Sequence, residues 1–140
     1  MAESKDREEG FTLVELMVVI VIIGLAAAAV VLAMPEEGGS LRGEAERLAA
    51  RTKAARDSAI LEARSTAVTI GPGGYQVARR LDGAWRIEAR YGWAGRTRPE
   101  ASGRIRFDST GMAEPAAIVL RRGDRRAVVA VAGDGGVNVD

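Results

Sequence analysis

Gly10-Phe11-Thr12-Leu13-Val14-Glu15-Leu16-Met17 opens an apolar run that continues to Met34, and Glu15 is the one charge inside it. From Leu16 to Met34, nineteen consecutive residues carry no charged or polar side chain. At about 1.5 Å per helical residue, Phe11 to Met34 covers roughly 36 Å, against a hydrocarbon core of about 30 Å. The β-branched residues from Val18 to Ile23 would also suit a buried strand, but an uninterrupted run of this length favours a membrane helix. Pro35 is expected to stop or kink it. An ionisable group at membrane depth costs roughly 2.5 to 3.5 kcal/mol on insertion scales, so Glu15 calls for a functional role and a partner. The bland alternative is a glutamate tolerated near a helix end by snorkelling.

A secretory signal peptide is the obvious competitor, because Ala26 to Ala29 and Ala33 could supply a small-residue cut site. The flanks disfavour it. Signal peptides begin with a positive region, whereas residues 1 to 9 hold Glu3, Asp6, Glu8 and Glu9 against Lys5 and Arg7.

The stretch Gly10 to Met17 resembles the class III signal of type IV pilins and type II secretion pseudopilins. The resemblance implies that a membrane-embedded prepilin peptidase cuts between Gly10 and Phe11 and methylates the new terminus, giving N-methyl-Phe11. Glu15 then becomes the fifth mature residue, where the family carries its glutamate. A free amine at Phe11 would be a cation at the depth of the carboxylate four residues on. In the family, the glutamate of an incoming subunit is thought to pair with a neighbour's terminal amine. Such a pair fixes alignment more than it adds stability, since leaving either charge alone is costly. The leader departs from the usual basic pattern, and with Lys5 and Arg7 on one flank and Arg42 and Arg47 on the other the positive-inside rule is nearly undecided. Orientation therefore follows from the resemblance: a cytoplasmic leader, a single pass through the bacterial inner membrane and a periplasmic C-terminal region.

Residues 36 to 140 are about the size of one domain. Setting aside Lys5, Arg7 and the five acids up to Glu15, 18 basic residues remain against 14 acidic ones, a mildly basic balance. Cysteine is absent, so neither disulfides nor thiol redox chemistry is available.

Glu36-Glu37-Gly38-Gly39 is a polar break, and Ser40 is placed to cap a helix. Leu41, Ala45, Leu48, Thr52, Ala55, Ala59 and Ala63 recur at helical spacing, with Arg42, Glu46, Arg47, Arg51, Lys53, Arg56 and Asp57 on other faces. Alanine along this stripe suits close approach to a sheet.

Beyond Ser65 the pattern becomes short strands with turn punctuation: 67–70, 75–81 and 85–91, then 104–107, 117–121, 127–132 and 137–139. Asp82-Gly83 followed by an alternating Trp85, Ile87, Ala89, Tyr91 face predicts a hairpin. Residues 92 to 103, with Gly92, Gly95, Pro99 and Gly103, read as a loop. A helix followed by antiparallel strands is an α+β architecture.

The stretch Ile105-Arg106-Phe107-Asp108-Ser109-Thr110-Gly111, then Ile118-Val119-Leu120, Val128-Val129-Ala130-Val131 and Gly136-Val137-Asn138-Val139, resembles the H-type minor pseudopilins of type II secretion and related minor pilins. The two resemblances together imply a pilin-like lollipop. Its parts would be a leader at 1–10, a transmembrane and assembly helix at 11–34, a linker and amphipathic helix at 35–66, and an antiparallel β domain at 67–140. They also imply a role in exporting folded proteins, with partners in the prepilin peptidase, other major and minor pseudopilins, the inner-membrane assembly platform and secreted cargo.

Other constellations have simpler readings. Asp134, Asn138 and Asp140 could suggest a calcium site, but a Gly-rich turn and a strand end account for them. Trp85, Tyr91, Trp93 and Phe107 beside Arg96, Arg98, Arg104 and Arg106 could suggest a platform for single-stranded nucleic acid, yet core packing and loop anchoring suit them better. Arg121, Arg122, Arg125 and Arg126 around Gly123-Asp124 read as an exposed hairpin tip. Histidine is absent, and Ser40, Ser58, Ser65, Ser102 and Ser109 lack an evident base. Phosphate loops and zinc-ligand spacings are missing too, so neither an enzyme nor a cofactor is expected. Two other readings stay open: a minor pilin of a type IV pilus, with Gly103-Arg104-Ile105-Arg106 as a DNA-binding patch, and a membrane-anchored periplasmic binding domain without a filament role.

Overall fold

The computed structural model describes residues 10–33 and 39–140; residues 1–9 of the leader, Met34, Pro35 and the Glu36-Glu37-Gly38 break, where the sequence places a helix stop, lie outside the described residues. The chain divides into two units, Met1–Pro35 and Glu36–Asp140.

In the first unit, helix α1 spans Leu13–Ala33 with a mean hydropathy of 3.1 and no buried residue. Its 21 residues make about 31 Å, enough to cross a bilayer.

The second unit opens with α2 (Leu41–Glu62). Ser40 caps it from an extended conformation, its Oγ accepting from the Gly43 amide at 3.0 Å. Leu41, Ala45, Leu48, Thr52, Ala55 and Ala59 are buried, as their spacing predicts. Ala63 departs from that stripe: the helix ends at Glu62, and Ala63 takes a left-handed closing conformation (φ 53°) in which it is exposed. Glu44, in phase with the stripe one position before Ala45, is buried as well.

Among the described residues, eight strands form two antiparallel four-stranded sheets. The first has the order β3 (Ala84–Gly92), β2 (Gly74–Leu81), β1 (Thr66–Gly71), β5 (Gly103–Phe107). The second has the order β4 (Arg98–Pro99), β6 (Ala116–Arg122), β7 (Arg125–Val131), β8 (Val137–Val139). The core joins the apolar stripe of α2 to Val68, Ile70, Ile105 and Phe107 of the first sheet and Ile118, Leu120, Val129 and Val131 of the second. The Thr66 hydroxyl donates to the Ala55 carbonyl at 2.8 Å, a bond that requires sheet and helix backbones to lie close, which the alanines of α2 allow.

Two strand expectations change. Asp82 and Gly83, both at positive φ, make the tight turn of the β2–β3 hairpin. The single alternating face from Trp85 to Tyr91, however, does not form. A bulge between Val77 and Ala78 pairs Ala89 with Val77 but Ile87 with Ala78, leaving Glu88 as the extra residue. Ala89 and Tyr91 therefore face α2 and Trp85 and Ile87 face away. Within the expected 92–103 loop, Arg98 and Pro99 pair with Arg121 and Leu120, and Trp93 and Thr97 are buried. A two-residue strand has no periodicity to read.

Candidate assembly helix and interaction surfaces

Gly10, Phe11 and Thr12 precede α1, and Phe11 is 85% exposed. The Thr12 hydroxyl accepts from the Glu15 amide at 3.2 Å, and the Thr12 carbonyl accepts from Leu16. Thr12 is thus the N-cap and Glu15 the third helical residue, the spacing of a capping box. The carboxylate sits in the first turn, where the helix dipole favours an anion, and is exposed along with the rest of α1. Cleavage before Phe11 would leave the new amine one residue ahead of this cap.

On the α2 side of the first sheet, Tyr75, Tyr91 and Trp93 form a tilted stack with centroids 5.2 and 5.0 Å apart. The Arg51 guanidinium lies 3.5 Å from the Tyr91 ring centroid and donates to the Tyr75 hydroxyl at 2.6 Å. Arg51 is half-buried, not solvated as its place off the stripe had suggested, because the rings offer its charge a π face. Burial pushes the Tyr75 hydroxyl above its ordinary value of 10.0, while the hydrogen bond and charge of Arg51 draw it back. Trp93 Nε1 donates to the Gly71 carbonyl at 2.8 Å, fixing the start of the 92–99 segment. The buried Glu44 carboxylate is met by Arg47 at 2.7 Å, one turn along the helix.

The β6–β7 tip is not uniformly exposed. Arg122 is half-buried, in phase with Ile118 and Leu120. Its Nε and Nη2 donate to Thr97 Oγ1 at 3.0 and 2.8 Å, Nη2 to the Ala94 carbonyl at 3.1 Å, and Nη1 to the Gly39 carbonyl at 2.7 Å. One planar guanidinium therefore ties the 93–97 loop to the residue before the α2 cap. Arg121, Arg125 and Arg126 are exposed as expected.

The four aromatics do not make a common platform. Phe107 is in the core, Trp93 is buried and Tyr91 sits beneath Arg51. Trp85 alone lies with Arg104 and Arg106, on the far face of the first sheet. Arg98 donates to the Thr97 carbonyl at 2.6 Å. Asp134 accepts from the Gly136 amide at 2.9 Å, closing the turn before β8, and Asn138 lies within β8 opposite Ala130. Among the described residues, no group of three or more His, Cys, Asp or Glu side chains is placed to hold a metal ion.

A capped apolar helix of membrane length, followed by a unit in which one amphipathic helix packs on antiparallel sheets, defines a pilin-like subunit. Residues 5–31 match the model of the prokaryotic N-terminal methylation motif. Residues 44–135, about two-thirds of the chain, match the model of the type II transport protein GspH, and the chain belongs to that family. A search of curated proteins gives no significant match. Two crystal forms of the type IV minor pilin FimU of Pseudomonas aeruginosa share the fold, with TM-scores of 0.58 and 0.60 at 15% and 16% identity. Each match covers 71% of this chain and 92% or 87% of the FimU chain. The α+β, pilin-like class expected from the sequence is thereby established.

Proposed function

We propose that this chain is the precursor of an H-type minor pseudopilin, a structural subunit, not an enzyme, that assembles near the tip of a type II secretion pseudopilus. The observation that carries the reading is the membership of residues 44–135 in the GspH family behind an N-terminal methylation motif. The prepilin peptidase removes residues 1–10, and N-methyl-Phe11 starts the mature chain. The segment 11–34 holds the subunit in the inner membrane, with residues 35–140 periplasmic, until the assembly platform transfers it to the filament. There the domain meets other pseudopilins and secreted cargo. Glu15 pairs with a neighbour's terminal amine and sets the register; its exposure on α1 and its place in the first turn leave it free to do so.

The test is Glu15→Ala in the native host. Cleavage should stay largely intact while the variant is lost from sheared pseudopili; normal incorporation would refute the pairing. Glu15→Ala keeps the Glu15 amide that bonds Thr12 and removes only a first-turn carboxylate at an exposed position, worth about 0.3 to 1 kcal/mol through the helix dipole, so misfolding would not explain the defect. The fold likeness to FimU supports a second reading, a minor pilin of a type IV pilus. Deleting each system's assembly platform in turn separates the two, since only the cognate deletion strands the chain in the membrane.

A further inference from the structure

Among the described residues, the two sheets end in four edge strands: β3 and β5 on the first, β4 and β8 on the second. Three of these edges carry features that discourage the addition of another strand. β3 is bulged at Glu88, β4 is two residues long and ends in Pro99, and β8 is three residues long. β5 has neither bulge nor proline, and it pairs with β1 in unbroken register from Gly103 to Phe107. Its guard is charge, in the exposed Arg104 and Arg106.

The hydrogen-bond phase of the ladder says which backbone groups lie on that edge. The Arg80 amide donates to the Ser65 carbonyl at 2.9 Å. Counting on from Ser65, the odd residues of β1 face β2, and Thr66, Val68 and Ile70 face β5. Their partners Phe107, Ile105 and Gly103 therefore bond to β1, while Arg104 and Arg106 aim their backbone groups outward. Asp108 continues the same phase: its amide donates to the Met112 carbonyl at 3.0 Å, beside the single bridge between Phe107 and Ala113. The chain thus closes its own edge at Asp108 and leaves it open at Arg104 and Arg106. Neither of those amides, nor the Arg104 carbonyl, has a backbone partner among the described residues. A groove of about 520 Å³ lies here, lined by Arg104, Arg106, Asp108, Met112, Ala113 and Glu114.

An open strand edge selects its occupant. A phosphodiester backbone accepts from amides and guanidiniums but donates nothing to the Arg104 carbonyl, whereas an extended peptide supplies both donor and acceptor. A second copy of β5 is disfavoured by charge: in an antiparallel pair, the residues aiming their backbone at the partner stand opposite one another, so arginine would face arginine. Carboxylates at alternate positions of the incoming strand are the complementary arrangement. Two or three main-chain bonds are too few to hold a freely diffusing chain such as cargo. They suffice for a neighbour already held alongside in a filament, where the second contact is in effect intramolecular.

We propose that the β5 edge receives an extended segment of a different, neighbouring filament subunit, added as a fifth strand of the first sheet with carboxylates opposite Arg104 and Arg106. The inference rests on the filament reading and names how the domain holds its neighbour. Met112, 58% exposed on the groove wall, is replaced by a photo-cross-linking residue, Met112→p-benzoylphenylalanine, in the full chain in its native host. Ile87→p-benzoylphenylalanine, on the opposite edge strand, is the control. Irradiation should join the first variant to another pilin-like subunit, with the junction mapped by mass spectrometry to an extended stretch bearing acidic residues at alternate positions. The control should not reach that stretch. Adding Arg104→Pro removes the outward amide, a change that an edge strand accepts where the N–H is unbonded, and should cut the yield about tenfold or more. Arg104→Gln keeps the amide and should hold the yield within about threefold. The mapping decides whether or not Arg104→Pro folds, which matching thermal midpoints verify. A product with the chain itself, with secreted cargo or with nucleic acid would overturn the proposal, as would a junction within a helix. So would equal effects of Arg104→Pro and Arg104→Gln, which would leave a purely ionic contact. A chain cut at Gly10 and incorporated normally that captures nothing refutes the strand addition alone; an uncut chain refutes the filament reading.

Discussion

Replacing Arg122 by Gln should destabilise the soluble unit far more than replacing its neighbour Arg121. The Arg122 guanidinium satisfies the hydroxyl of Thr97, which is 0% exposed, and also the carbonyls of Ala94 and Gly39. Gly39 is exposed, so its carbonyl can turn to water when the arginine is lost. Thr97 cannot. A buried polar group left without its partner costs about 1 to 3 kcal/mol, and bonds to a charged donor lie toward the upper end, so we expect a loss of about 2 to 3 kcal/mol. For a unit near 100 residues that lowers the thermal midpoint by about 10 °C or somewhat more. Arg121 faces solvent and meets Glu100 at 3.2 Å with both side chains well exposed, so Arg121→Gln should cost less than about 1 kcal/mol. Lysine at 122 offers a point charge in place of a planar fork and should recover less than half of the loss. Thermal unfolding of the detergent-solubilised chain, followed by near-ultraviolet circular dichroism, measures all three. Adding Thr97→Val to Arg122→Gln should cost less than the two single losses together, because the orphaned hydroxyl is gone. Equal costs for Arg121→Gln and Arg122→Gln would refute the assignment of Arg122 as the pin of the 93–97 loop.

Gly135 has φ +83°, and a Cβ there would stand 2.0 Å from the Gly111 carbonyl oxygen and 2.7 Å from Arg56 Nε; Gly135→Ala should therefore cost about 2 kcal/mol or more and lower the thermal midpoint accordingly. Tyr75 titrates above 10.0 in the folded chain chiefly because it is buried, so its contribution to stability is fully present below pH 10 and is lost as pH rises through the folded value. Tyr75→Phe should accordingly flatten the alkaline limb of the stability curve, read as urea midpoints from pH 9 upward; an unchanged limb would refute the burial effect.

What the sequence made legible was local. Six of the seven stripe positions on α2 could be read because a helix repeats its buried face every three to four residues, and Asp82-Gly83 could be read because few other pairs accept two positive φ values. The apolar helix Leu13–Ala33 was legible for the same reason: its pattern is contiguous. The missed features depend on distant partners. Arg122 meets Thr97 and Gly39 from 25 and 83 residues away, and Arg51 meets Tyr75 from 24 away, so an apparently solvated arginine was in each case half-buried. Glu44 was detectable in principle, standing at stripe phase with a counter-charge three residues on. The bulge at Glu88 was not, because a one-residue shift leaves the alternation of Trp85, Ile87, Ala89 and Tyr91 intact on paper while sending the pairs to opposite faces. That shift is also what frees Trp85 to gather arginines on the outer face.

The most direct test of the account is the intact mass and N-terminal sequence of the protein taken from membranes of its own host, with and without the prepilin peptidase. A mature chain beginning at N-methyl-Phe11 only when the peptidase is present is the predicted result, and it supplies the amine that Glu15 requires. A chain that keeps residues 1–10, or one cut near Ala33, would contradict it, leaving Glu15 as an ordinary member of a helix cap.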